Sequence, residues 1–259
     1  MITNRLSGKR ALVTAGAQGI GAAITRHLLA AGCDVFVHYR SSAQEAQTLA
    51  KEAAAAGRRC AGTAGDLTKV ADCERVVAEA VKFLGGLDLL VNNAGSIVAR
   101  KTLAEADEAY WAEVMGLNFD SLRRVTKAAT PHLLASAKTF GGSSIINISS
   151  LAGRKGGHPG SLAYSSSKGA VLTFTRGLAN ELGPHGVRVN TVAPGFVQGT
   201  TFHQRHTTDE SAKITVAGLP LGRAGRPDDI ARGVVYLANE FDGFITGSTL
   251  DINGGQYYA

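Results

Sequence analysis

Cysteine is scarce in this chain of 259 residues. Cys33, Cys60 and Cys73 form an odd set with no CxxC pair and no metal-ligand spacing, which excludes a complete disulfide framework. Buried thiols in a reducing cytoplasm are the expectation. Proline is sparse too, 6 residues against 32 glycines, and the glycines follow no fixed period, so the chain is not collagen-like. No uninterrupted apolar stretch approaches the ~18 residues of a membrane helix. Met1 to Arg10 lacks the apolar run and small-residue cleavage site of a signal peptide. Neither a membrane partner nor export is expected. Aromatic residues make up 6%, too few to interleave with basic residues as stacking platforms for bases. Charge of one sign is never concentrated. The 27 basic and 21 acidic residues give a net +6 and a pI near 9.3, a value that raises the question of nucleic acid. The bases are nevertheless short pairs such as Arg58–Arg59, Arg123–Arg124 and Arg223/Arg226, so no nucleic-acid partner is expected. A small anionic ligand is a better use for part of that charge.

What is present is a large apolar fraction, 44%, with 19% charged residues, enough to bury a sizeable core. Short β-branched runs alternate with longer helical patterns from end to end. Strands are expected at Arg10–Thr14, Asp34–Tyr39, Cys60–Ala64, Leu87–Asn92, Ser144–Ser149, Val187–Ala193 and Ser248–Ile252. Helices are expected at Gly19–Ala31, Ala43–Ala56, Val70–Leu84, Glu108–Ala135 and Ala163–Leu182, the last stopped by Gly183–Pro184. Such alternation implies parallel strands joined by right-handed crossovers, with helices on both faces of the sheet. The fold class is α/β: a single doubly wound Rossmann-type domain over residues 1–259, with about seven parallel strands. Only the stretch 195–225 is long and hard to assign, which suggests a substrate-binding loop or lid.

The turn after the first strand reads Thr14-Ala15-Gly16-Ala17-Gln18-Gly19-Ile20-Gly21, then a helix begins. Glycines here let backbone approach a pyrophosphate, whose charge meets the positive end of the helix. The spacing is not GxGxxG. Further candidates collect at the same sheet edge: Tyr39, Arg40 and Ser41 after the second strand, Asp66 and Leu67 after the third, Asn93, Ala94 and Gly95 after the fourth. An NAD site wants a carboxylate about 20 residues past the glycine turn. That place holds Tyr39 and Arg40, while Asp34 lies at the wrong end of its strand. A guanidinium and hydroxyls suit a 2′-phosphate, so NADP(H) is favoured over NAD(H).

Tyr164 and Lys168, four apart, fall on one helix face, and Ser150 precedes that helix at a strand end. A phenol with pKa about 10 is a poor acid or base near neutrality, and a neighbouring ammonium is expected to lower it. A serine hydroxyl on the same substrate oxygen would complete a group able to give a proton to a carbonyl as hydride arrives, or the reverse.

With these residues assembled, the sequence resembles the short-chain dehydrogenase/reductase family over essentially its whole length. The family's TGxxxGxG turn is matched by Thr14, Gly19 and Gly21, with Ala15 replacing the first glycine and Gly16 one place later. Its NNAG element is matched by Asn92-Asn93-Ala94-Gly95. The resemblance implies that Asp66 meets the adenine and that Asn118 belongs to a catalytic tetrad with Ser150, Tyr164 and Lys168. It implies Ser150 rather than Ser149 as the serine, since Ser150 lies three residues before Gly153. Tyr164 is then the acid/base, and Lys168 both tunes it and binds the nicotinamide ribose. Pro194 and Gly195 correspond to the element behind the nicotinamide, with Val197 near its carboxamide and Thr200 one place beyond the usual threonine. Asn253-Gly254-Gly255 stands where the family has DGG. The resemblance also implies a homotetramer, with contacts from the helices carrying Asn118 and Tyr164 and from the C-terminal segment. The stripe Val171, Phe174, Leu178 and Leu182 suits such a partner or a core equally well.

No metal is expected. His203 and His206 lack a carboxylate partner in register, and with Gln204 and Arg205 they read as substrate contacts or surface. His158 is a pocket-rim candidate, and Trp111 reads as core. The expected function is an NADP(H)-dependent oxidoreductase interconverting a ketone and a secondary alcohol. The alternatives are an NAD-dependent sugar or polyol dehydrogenase and a cofactor-binding regulator without chemistry. Reductases of carrier-bound acyl chains are also similar, but the arginines they use for carrier docking are absent near Gly141 and His185. The segment 199–218 is expected to decide the substrate.

Overall fold

Strand residues in this chain point alternately to two helical layers, which is why the strands read as continuous apolar runs. Ala11, Val13, Val35 and Val37 enter one core cluster, while Leu12 and Phe36 enter the other. The computed structural model describes residues 6–140, 142–200, 207–239 and 243–259. Its strands are β1 (Arg10–Val13), β2 (Asp34–Tyr39), β3 (Cys60–Ala64), β4 (Leu89–Asn92), β5 (Ser143–Ile148), β6 (Val187–Pro194) and β7 (Thr249–Ile252). All pair in parallel, in the order β3-β2-β1-β4-β5-β6-β7. The doubly wound α/β fold expected from the sequence is therefore the fold observed.

Helices α1 (Gly19–Ala30), α2 (Ala43–Ala55) and α3 (Val70–Leu84) follow the first three strands. Ile24 and Leu28 of α1 meet Ile230 and Val234 of a later helix on one face of the sheet. Val76 and Val77 of α3 join Leu133 and Leu178 in the core on the other. The chain reverses direction across the sheet between β1 and β4, and ligands in open α/β sheets bind at the carboxyl ends of strands at such a point.

Four local features differ from the expectation. The long helix over 108–135 is α4 (Glu108–Met115), a π-helical turn at Gly116–Asp120, and then α5 (Ser121–Phe140). A short helix α6 (Leu151–Lys155) precedes α7 (Leu162–Leu182). The stretch 195–225 contains α8 (Asp209–Ala217), started by Thr208, whose side chain accepts from the Ser211 N–H, with Asp209 and Glu210 in the first turn. Beyond it lies α9 (Pro227–Ala238), with Pro at its start, Asp228 and Asp229 in its first turn, and Ile230, Val234 and Leu237 buried. The apolar stripe on α7 is mostly interior: Val171, Leu178 and Leu182 are buried, and Phe174 packs edge-on against Phe119. It forms core and not a free docking face. The three cysteines are free, with Cys33 and Cys73 buried. Among the described residues no helix is long and apolar enough to cross a membrane.

Candidate active site

The turn after β1 is stitched to the loop after β4. Thr14 is buried, and its hydroxyl accepts the N–H groups of Asn93 (2.9 Å) and Ala94 (3.0 Å). Asn93 in return donates to the carbonyls of Thr14 and Ala15, each at 3.1 Å. Ala15, standing where the family has glycine, adopts a left-handed φ of 48°. Its N–H donates to Nδ1 of His38 at 3.1 Å, and His38 Nε2 lies 3.0 Å from the Gly65 carbonyl, so Nε2 carries the proton. Burial holds the His38 pKa below its ordinary value, which favours that neutral form. His38 thus ties the glycine turn to the end of β3, a role the sequence did not announce.

The glycines of the turn differ in purpose. A Cβ on Gly16 would meet Val13 O at 2.9 Å and Val37 Cγ1 at 3.0 Å, so Gly16 serves packing beneath the turn. A Cβ on Gly21 would lie 2.0 Å from Ala15 O, so this position must be bare for α1 to sit against the turn. Helix α1 begins at Gly19, has no side-chain cap from Gln18 and no acid in its first turn. Its first N–H groups and its positive end therefore remain available to an anion.

Across the cleft, Ser150 caps α6, its Oγ accepting from Ala152 N at 3.1 Å, and its hydroxyl hydrogen-bonds Tyr164. Ser149 is turned away, donating to the Lys168 carbonyl at 2.7 Å. The preference for Ser150 agrees with this geometry. Lys168 is 3% exposed, its Nζ donating to Ile148 O at 3.0 Å and lying 5.9 Å from the centre of the Tyr164 ring. Asn118, inside the π-helical turn, accepts from Ser96 N (3.0 Å) and donates to Ser96 O (2.7 Å) and Val114 O (2.9 Å). Gly95 lies between: a Cβ there would meet Asn118 Oδ1 at 2.7 Å and Lys168 Nζ at 2.9 Å. Tyr164, Ser150, Lys168 and Asn118 are thus brought together.

The electrostatics depart from the sequence expectation. Burial pushes the Tyr164 phenol up to about 12, with the Ser150 hydrogen bond pulling the other way. Burial likewise pushes Lys168 down to about 8. Loss of hydration outweighs any lowering of the phenol by the ammonium, because both groups sit in the same enclosed place.

Ser150, Tyr164 and Lys168, but not Asn118, face a cavity of about 270 Å³, slightly below the roughly 300–1,000 Å³ usual for small-molecule sites. Gln18, Gly19, Ile20, Ser150, Tyr164 and Lys168 line it, as do Pro194, Gly195, Val197 and Thr200 on the facing side. Gly195 donates to Ile252 O at 2.9 Å, and a Cβ on it would meet Asn253, so the segment after β6 lies tight against the one after β7. Thr14, Gly16, Leu67 and Ala94 do not line the cavity; Leu67 is core and Ala94 packs against it. Tyr39, Arg40, Ser41 and Asp66 extend the edge beyond it, Arg40 and Ser41 exposed, Asp66 accepting from Thr68 Oγ1 at 2.7 Å. Asp34 sits at the far end of β2, paired with Arg59 at 2.7 Å. His203, Gln204, Arg205 and His206 lie outside the described residues. Among the described residues no cluster of His, Cys, Asp or Glu is arranged to hold a metal.

The family described as Enoyl-(Acyl carrier protein) reductase matches residues 14–256. The chain is a short-chain dehydrogenase/reductase. Nodulation protein G of Azospirillum brasilense is 40% identical, over 98% of this chain and 100% of that protein. The 3-oxoacyl-(acyl-carrier-protein) reductase of Vibrio cholerae is 36% identical, over 97% and 98%. Among solved structures, the NADH-dependent reductase A1-R′ responsible for alginate metabolism superposes with TM-score 0.91 at 34% identity, covering 99% of this chain and 100% of that one. A short chain dehydrogenase from Burkholderia cenocepacia in complex with NADP gives 0.88 at 32%, covering 97% and 99%. A nicotinamide dinucleotide fits the short-chain dehydrogenase/reductase site seen here. The uncapped start of α1 meets the pyrophosphate's need for N–H donors, and Gly19 at that start has a left-handed φ of 52° and no side chain between its backbone and the cavity.

Proposed function

We propose that the protein is an NADP(H)-dependent oxidoreductase that interconverts a ketone and a secondary alcohol, with Tyr164 as the acid/base. The observation that carries this reading is the Ser150–Tyr164 hydrogen bond beside buried Lys168, across one cavity from the uncapped start of α1. When bound, the dinucleotide supplies or accepts hydride at its nicotinamide. Tyr164, raised to about 12, keeps its proton through neutral pH and is poised as a donor to a carbonyl oxygen. Ser150 orients that oxygen through a second hydrogen bond. Lys168, with pKa near 8, is able to pass a proton toward Tyr164 at neutral pH. Asn118, fully engaged with Ser96 and Val114, holds the Gly95–Ser96 backbone against Lys168. Two relatives, named 3-oxoacyl-(acyl-carrier-protein) reductase and acetoacetyl-CoA reductase, bear names that specify an oxo group.

Preference for NADP rests on exposed Arg40 with Tyr39 and Ser41 at the end of β2, and on Asp34 being held at the far end by Arg59. The relatives divide between NADH and NADP, so the residues here must decide. Tyr164→Phe is expected to lower turnover at least ~10³-fold while leaving dinucleotide affinity and the folding transition intact. Retained turnover would remove the acid/base assignment. Arg40→Asp is expected to weaken NADP binding at least ~10-fold more than NAD binding, measured by fluorescence titration; equal loss of both would assign the 2′-phosphate contact elsewhere. The same reading carries a homotetramer on family likeness, and sedimentation as a monomer would dismiss it. Dinucleotide binding without turnover on any carbonyl would favour the regulator instead.

A further inference from the structure

The dinucleotide and the Ser150–Tyr164–Lys168 group leave one wall of the cavity unexplained. Arg100, Lys155 and His158 line that wall, and no Asp or Glu among the described residues lines the cavity at all. The three come from two segments pressed together by the fold. Lys155 ends α6, the helix that Ser150 begins, and His158 lies in the loop leading to the helix of Tyr164. Arg100 follows β4, and its segment is fixed to that loop where Lys101 N donates to Gly160 O at 3.0 Å. A Cβ on Gly160 would stand 3.1 Å from Arg100 Cβ, so the two backbones touch. The neighbouring cations are already matched: Arg154 pairs with Asp251 at 2.8 Å, and Lys101 lies 4.0 Å from Asp107 and over the Tyr110 ring. Arg100 and Lys155 have no carboxylate partner among the described residues.

Gathering cations on a concave wall without an acid raises the local positive potential, which an anionic ligand would relieve and exploit. The wall lies along the connection between the two residues placed on the substrate oxygen, so it meets the substrate and not the distant 2′-phosphate edge at Arg40. A planar guanidinium suits a carboxylate, which accepts two parallel hydrogen bonds, and an exposed ammonium lining the same cavity adds attraction for the anion. We propose that Arg100 and Lys155 form a carboxylate subsite, so that the substrate is a short oxo acid and the product the corresponding hydroxy acid. This rests on the oxidoreductase reading above. In the reaction the carbonyl carbon gains hydride from the reduced nicotinamide, and the carbonyl oxygen gains the Tyr164 proton. The C=O π bond is lost, a C–H and an O–H bond form, the substrate is reduced and the nicotinamide oxidised. The carboxylate itself is unchanged.

The test compares short 2-oxo and 3-oxo acids with their methyl esters and with 3-oxoacyl-CoA thioesters, using NADPH and NADH in turn. Acids are expected to exceed esters roughly tenfold or more in kcat/KM. In Arg100→Met and Lys155→Met the KM for the acid is expected to rise roughly tenfold with little change in kcat, while ester kinetics and NADPH affinity stay as they were. Preference for esters or thioesters, or equal losses on acid and ester in the variants, overturns the subsite and leaves the oxidoreductase reading standing. If no carbonyl compound of any kind consumes either dinucleotide, it is the oxidoreductase reading that fails. The subsite is then judged by the response of bound NADPH fluorescence to added oxo acid, where identical responses of wild type and Arg100→Met overturn it.

Discussion

Lys168 is an ammonium in a place that disfavours charge. Burial moves its pKa from the ordinary 10.5 to about 8. At about 1.4 kcal/mol per tenfold change in proton affinity, keeping that proton costs the fold roughly 3 kcal/mol at neutral pH. The folded chain holds this proton less tightly than the unfolded chain. The cost is therefore full below about pH 8 and fades between about 8 and 10.5, where only the unfolded chain stays charged. Lys168→Met removes the charge and also a hydrogen bond to Ile148 O, worth ~1 kcal/mol. It is expected to stabilise the protein by ~1–2 kcal/mol at pH 7, a gain that shrinks as pH approaches 10, while abolishing turnover. Urea unfolding of both proteins at several pH values measures this. A variant less stable than wild type at pH 7 would show that the ammonium is not under strain. The same logic explains why the expected lowering of the Tyr164 pKa is not found: enclosure acts on both members of the pair, and spacing along a helix says nothing about enclosure.

Among the secondary-structure elements, the break between α4 and α5 matters most for the site. Asn118 within the π-helical turn reaches Ser96, 22 positions earlier, through two hydrogen bonds, and Val114 one turn back. Such turns are rare and often mark functional positions. Asn118→Ala is expected to cost ~1–2 kcal/mol in unfolding free energy, because it strands the buried Val114 carbonyl and removes two bonds to the half-buried Ser96 backbone. It is also expected to increase hydrogen exchange in the loop carrying Gly95; an unchanged loop would separate the turn from the site. A window of sequence around residue 118 does not reveal this break, and the partner of Asn118 lies in another loop, 22 positions away. The seven strands and the order of the helices were readable because apolar periodicity is local, and the Ser150–Tyr164–Lys168 set was readable because one helix and a strand end suffice to place it. Helix α9, absent from the expected elements, carries its own local signals in Pro227, its acidic first turn and the spacing of Ile230, Val234 and Leu237. His38 was not: within Asp34–Tyr39 it looks like any strand residue, and its task depends on where the turn at Ala15 passes.

For the molecule as a whole, the sheet separates the task of stability from the task of chemistry. The cavity lies at the carboxyl ends of the strands, whereas an ion pair secures the opposite edge. Asp88, just before β4, takes Arg10 Nε and the Arg10 backbone N–H, each at 2.8 Å, with Arg10 Nη2 at 2.9 Å and the Ser136 hydroxyl as a further donor. Strand β4 starts at Leu89 and not at Leu87, although the Asp88 backbone already donates to Arg10 O and accepts from Ser144 N, each at 2.9 Å. Burial favours the protonated acid, but the hydrogen bonds from Arg10 and Ser136 more than offset it, and the Asp88 carboxyl is held below the usual carboxylate range. Its folded-state pKa is thus below the unfolded one. The stabilisation is complete above the ordinary value of 3.8 and is lost as pH falls through the lower, folded value. Asp88→Asn leaves the Arg10 guanidinium without its counter-charge at a largely buried edge, and is expected to cost ~3 kcal/mol. Because this edge is remote from Tyr164, turnover per folded molecule and dinucleotide affinity are expected to be unchanged at pH 7, while the gap in stability between wild type and variant narrows below about pH 4. Denaturant unfolding from pH 7 down to pH 3, with activity measured on the folded fraction, decides the matter. A variant that lost turnover in step with stability would mean that the two edges of the sheet act as one unit.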